Sequence, residues 1–134
     1  GIRDWQKNNM DIARDTEDDK WAEVRIPETN MRRFLKGKLN RVTVRCNTPI
    51  QGAGAAILKC ALKNLWPKVK EQGEDKVKIA AAVHDELILL VKEDIADEWA
   101  EILKTTMEKA EAEWLGDVPA LAEVSIGDKW SEVH

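Results

Sequence analysis

Apolar residues recur at three- and four-residue steps along two long stretches of the chain and crowd into two short runs between them, so helices and strands separate by period. Ile57, Leu58, Ala61, Leu62, Leu65 and Trp66 form one such stripe. It predicts a helix from Asn47-Thr48-Pro49 to about Val69, because a capping Asn or Thr before a Pro satisfies orphan amides and presets φ. Ile95, Trp99, Ile102, Leu103, Met107 and Ala110 predict a second helix over about 93–114. Between them, Val77 to Val83 and Leu87 to Val91 are nearly continuous apolar runs separated by His84-Asp85-Glu86, which predicts a hairpin covered on both faces with the charged triplet at its tip. Residues 121–126 predict a third strand and Trp130 to His134 a short tail. Upstream, residues 2–14 read as a short helix, 15–19 as an acidic turn, and Trp21 to Ile26 as a short strand closed by Pro27. The basic stretch after it, with Gly37, reads as an exposed loop. The fold class is therefore α+β, an antiparallel sheet of a hairpin plus a C-terminal strand packed with two long helices. We expect a single domain over 1–134, with a helix and basic loop region over 1–46 and the long helix, hairpin, helix and strand over 47–134.

Length and composition restrict this further. The 134 residues suit one modest core, and no run approaches the roughly 20 apolar residues of a spanning helix. Neither a basic leader with an apolar core nor a cysteine framework is present, since Cys46 and Cys60 are the only cysteines, so cytoplasm is the expected location and no membrane partner is expected. The first residue is Gly1 rather than Met, which suggests a trimmed chain or a piece of something longer. The net charge of −4 hides a segregation. Thr29 to Lys70 contains ten of the 21 Lys and Arg and no Asp or Glu, leaving 11 basic side chains against all 25 acids elsewhere. Such a stretch faces either an anionic partner or the protein's own acidic helices.

Three features carry candidate chemistry. Asp85 and Glu86 at a hairpin tip offer the carboxylate oxygens that Mg2+ takes, although a polar turn, in which Asp is common, is the more ordinary account of them. Adjacent strand residues point to opposite faces, so the two would not chelate one ion together, and a two-metal site needs a further carboxylate from another element. Gln51 lies in the first turn of the long helix; its amide can donate to the N3 or O2 acceptor that every base pair presents in the minor groove, or simply face solvent. Gly52, Ala53, Gly54, Ala55 and Ala56 are all small. Two helical glycines cost about 1 kcal/mol each relative to Ala, which implies close approach of either a neighbouring element or a ligand.

In order and spacing, Asn47-Thr48-Pro49-Ile50-Gln51-Gly52-Ala53-Gly54-Ala55, Val83-His84-Asp85-Glu86 and the ending Gly127-Asp128-Lys129-Trp130 to His134 resemble the C-terminal part of the palm of family A DNA polymerases. Gly1-Ile2-Arg3-Asp4-Trp5, Glu28-Thr29 and Arg32-Arg33-Phe34 extend the resemblance over essentially the whole chain. It implies a partial polymerase palm in which Asp85 is one of two aspartates binding catalytic Mg2+. Glu86 and His84 would lie beside the primer terminus, Gln51 in the minor groove of primer-template DNA with support from Asn47, and Arg32, Arg33 and Arg45 on phosphates. Ala53-Gly54-Ala55-Ala56 departs from the common Thr-Ala-Ala-Asp toward the phage-like branch, and Thr43 stands where an Arg is usual, with Arg45 as a substitute. The Asp-Tyr-Ser-like motif and the fingers helix that binds dNTP do not occur, and the chain has no Tyr. The resemblance thus implies a C-terminal fragment or split subunit, inactive without a complementary N-terminal polymerase fragment, and with exposed palm surfaces open to homo-oligomer formation. Two other readings stay open: a non-catalytic module that binds DNA or docks on a partner through 29–70, and a phosphohydrolase using His84 and Asp85, for which His134 is the one other imidazole.

Overall fold

A computed structural model describes residues 21–26, 28–116 and 118–133. The helix expected over 2–14 and the acidic turn after it lie outside the described residues. The class is α+β: two small antiparallel sheets and two long helices. The chain divides between Ala56 and Ile57 into two compact units.

In the first unit, β1 (Trp21–Arg25) pairs with β2 (Arg32–Lys36), setting Ala22 opposite Leu35 and Arg25 opposite Arg32. Much of the expected basic loop is thus a strand. Leu35 is its one buried residue, so the charges at Arg32, Arg33 and Lys36 hide the two-residue period. Thr29 closes the connection: its hydroxyl donates to the Ile26 carbonyl at 2.9 Å and accepts from the Met31 amide at 3.0 Å. A 3-10 turn, Gly37–Leu39, then leads to α1 (Val42–Gln72).

Helix α1 begins five residues before the expected cap, leaving Asn47, Thr48 and Pro49 in its interior. Thr48 is buried, and its hydroxyl donates backwards to the Val44 carbonyl at 2.7 Å instead of capping amides ahead of it. Pro49 has no N–H for the Arg45 carbonyl, a loss the helix tolerates by continuing through it. At the other end Gly73, with φ +98°, donates its amide to the Val69 carbonyl at 3.1 Å and stops the helix.

The second unit holds β3 (Val77–Val83), β4 (Glu86–Val91), α2 (Ala96–Leu115), entered through a 3-10 turn at Glu93–Ile95, and the short α3 (Trp130–Val133). Leu65, Val69, Val77 and Trp99 form its buried centre, and Ile79, Leu87, Leu89 and Val91 of the hairpin pack against it with Ile95, Ile102 and Leu103. Only one face of the hairpin is covered in this way. Leu90, paired with Lys78, stays 63% exposed, so the expectation of cover on both faces does not hold among the described residues. Nor is 121–126 a strand. Ala122 and Val124 are half-buried between exposed neighbours, so the alternation is there, but the segment is held by the Ala122 amide on Glu108 Oε1 at 3.4 Å rather than by a ladder. Trp66 is also outside the core, 48% exposed, because the buried stripe runs through Ala61, Leu65 and Val69. Among the described residues no helix is long and apolar enough to cross a membrane.

Candidate functional site

The hairpin tip owes its shape to a single irregularity. Ile79 pairs with Leu89 but Ala81 pairs with Ile88, so Ala80 is an extra residue on β3, a bulge. Continuing the Ile79–Leu89 register would set Val83 opposite Asp85 and leave one residue to turn the chain. The extra residue sets Val83 opposite Glu86 and gives a two-residue turn to His84 and Asp85. Leu87, Leu89 and Val91 meanwhile keep their contact with the core. The tip is therefore carried on a packed scaffold while His84, Asp85 and Glu86 are all exposed.

His84 sits at φ +54°, the left-handed region that Gly occupies freely at the first central position of such a turn. Glu28, in the β1–β2 connection, adopts the same region at φ +57°, so this conformation belongs to both turns. Asp85 enters the turn as predicted, whereas Glu86 is the first residue of β4 rather than part of the tip. Among the described residues no group of three or more His, Cys, Asp or Glu is placed to hold a metal ion. One exposed carboxylate at the turn is a fitting oxygen donor for a hard cation, as a contributor to a shared ligand set rather than a complete one.

In the first unit, Asn47 and Gln51 are exposed and one helical turn apart, and so share a face of α1. Arg45 lies about half a turn round from that face. It is half-buried: one guanidinium nitrogen donates to the Asn40 carbonyl at 3.2 Å, and its Nε is buried without a partner, as is Asn40 Oδ1. Arg32 and Arg33, adjacent on β2, project to opposite faces of the ribbon. Arg32 lies 3.9 Å from Glu23, which also pairs with Arg25 at 3.0 Å. Of the two cysteines, burial pushes the Cys60 thiol up, and Glu113 at 3.3 Å, which accepts its hydrogen bond, adds to the effect.

The small residues of α1 divide into two groups. Thr48, Gly52 and Ala56, spaced by four, face inward, and a Cβ at Gly52 would collide with the Ile26 side chain. Close packing explains that glycine. Gly54 is exposed, and a Cβ there meets nothing within 4 Å, so packing does not require it. The two substitutions should therefore act in opposite directions. Gly52→Ala costs about 1–3 kcal/mol by overpacking. Gly54→Ala raises stability by about 1 kcal/mol through helix propensity. Urea melts of the two variants give both signs; stabilisation by Gly52→Ala would exclude the Ile26 contact.

Comparison with known proteins places these features in context. The chain is 37% identical over 117 residues to DNA polymerase I of Lactococcus lactis subsp. lactis, an alignment covering 82% of this chain and 13% of that protein. It is 34% identical to DNA polymerase I of Streptococcus pneumoniae, covering 94% of this chain and 15% of that protein. To the thermostable DNA polymerase I of Thermus filiformis it is 40% identical over 86 residues, 64% of this chain and 10% of that protein. The chain thus spans a small part of the length of each of these relatives. The model of the family described as DNA polymerase family A matches residues 1–132, a span that includes the Asn47 and Gln51 face and the bulged His84-Asp85 turn, and the chain belongs to that family.

Proposed function

We propose that the chain is the C-terminal part of the palm of a DNA-directed DNA polymerase, contributing one metal-binding carboxylate and the primer-template contacts of template-directed nucleotidyl transfer. The observation that carries the reading is the family match over residues 1–132 together with Asp85 exposed at a turn built by a bulge. Asp85 would hold Mg2+ jointly with an aspartate on a complementary N-terminal polymerase fragment. When bound, the metal would supply Lewis-acid activation of the primer 3′-OH and charge neutralisation at the leaving pyrophosphate. Gln51 donates to minor-groove acceptors that are common to all base pairs, which tests pairing geometry without reading sequence. Asn47, one turn earlier on the same face, supports that contact. His84 and Glu86 flank the primer terminus, and Arg32, Arg33 and Arg45 meet phosphates. Because Arg32 and Arg33 leave β2 on opposite faces, they serve different phosphates. The setting is DNA replication or repair in the cytoplasm of a bacterial or phage-infected cell. Surfaces that would meet the complementary fragment are open to self-association in the isolated chain.

As a polypeptide by itself the 134-residue chain is inactive, since one carboxylate cannot hold two ions and its sequence has no fingers motif to bind dNTP. Mixing it with a polypeptide that carries the missing motifs should restore Mg2+-dependent primer extension, with neither component active alone. Incorporation by this chain alone, or a stable but inactive mixture, would refute the proposal.

A further inference from the structure

Helix α1 carries an aromatic side chain where its solvent face should be wholly polar. Ala61, Leu65 and Val69 turn into the core, while Lys63, Trp66 and Lys70 recur at steps of three and four on the outward side and are exposed. Lys70 Nζ stands 5.2 Å from the centroid of the Trp66 ring, a cation–π contact that orients the ring and leaves nearly half of the residue open. Among the described residues neither Lys63 nor Lys70 makes an ion pair. On the same helix Glu71 is about 100° round from Lys70, and Glu113 of α2 accepts the hydrogen bond of Cys60.

We propose that this stripe binds single-stranded DNA, with a base stacked on Trp66 and flanking phosphates on Lys63 and Lys70. Seven residues separate the lysines, about 10 Å along the helix, so the ring lies between two cationic anchors. That combination of an aromatic platform and backbone charges is how unpaired strands are held without sequence preference. A duplex would use only the lysines, because its bases already stack on one another and offer edges rather than faces. A membrane surface would need the apolar side of the helix, which is buried in the core. The site uses neither Asp85 nor the Gln51 face, so it stands independently of the polymerase reading.

The test is fluorescence anisotropy of a labelled twelve-nucleotide oligo-dT and of a labelled duplex of equal length, titrated with the 134-residue chain over a salt series. Trp66→Ala should weaken single-strand binding about 5- to 100-fold, the loss of one stacked base, and leave duplex binding unchanged. Trp66→Phe should restore most of the affinity. Lys63→Gln and Lys70→Gln should each reduce the salt slope by about 0.7. The exposed position of Trp66 allows the variant to fold, which a thermal melt verifies. Equal losses for single strand and duplex, no loss in a folded Trp66→Ala protein, or poly-glutamate competing as well as oligo-dT would each overturn the proposal, the last by assigning the stripe to an acidic protein.

Discussion

Asp85→Ala is expected to lower primer extension in the reconstituted mixture on the order of a thousandfold or more, with no change in the thermal melt. The size follows from what the carboxylate is asked to do. Metal stabilisation of transition-state charge is worth several kcal/mol, and about 4 kcal/mol corresponds to a factor near a thousand in rate. The absence of a stability effect follows from position: Asp85 is exposed at a turn, and substitutions at such sites stay within about 0.5 kcal/mol. Asp85→Asn keeps the shape and removes the charge, so it should fall nearly as far, which separates a ligand from a turn former. Glu86 opens β4 opposite Val83 and should be less sensitive to amide substitution. Activity within tenfold of wild type in a folded Asp85→Ala mixture would remove this residue from the metal site and with it the central part of the proposed function.

The elements that the sequence makes legible are those whose side chains divide cleanly between core and solvent. The hairpin strands, the second half of α1 and the body of α2 all bury apolar residues at their own period, and their predicted bounds agree with the structure to within a few residues. Where one residue type serves two ends, the reading fails. Asn-Thr-Pro can cap a helix or sit inside one; here it sits inside, with the hydroxyl of Thr48 reaching back to Val44, a contact that composition does not encode. Strand β2 buries only Leu35, too little to reveal a period. The bulge at Ala80 falls within a run of three alanines, so no change of side chain marks it, although it decides that His84 and Asp85 form the turn. Trp66 falls at a helical step that fits the apolar stripe, yet it lies on the outward side. The candidate site residues were legible through motif spacing rather than through chemistry: each of Gln51, Asn47 and Asp85 is an ordinary polar residue of a helix or turn when taken alone.

Trp99 provides the complementary experiment, a large loss of stability at a residue with no place in the chemistry. Its ring is buried against Leu65, Val69 and Val77, so Trp99→Ala should cost about 3–5 kcal/mol, a large share of the roughly 5–15 kcal/mol available to a domain. Its Nε1 is buried without a partner, a desolvated donor that itself costs about 1–3 kcal/mol. Trp99→Phe removes that donor along with part of the ring area, so the two effects oppose and the variant should lie within about 1.5 kcal/mol of wild type. Urea melts of the three proteins decide the point. If Trp99→Phe were as damaging as Trp99→Ala, the indole N–H would be contributing a bond of its own. The same core carries β3 and β4, and so positions the turn that holds Asp85. Trp99→Ala should therefore reduce extension only as far as it unfolds the chain, and lowering the temperature should recover activity, whereas no temperature rescues Asp85→Ala.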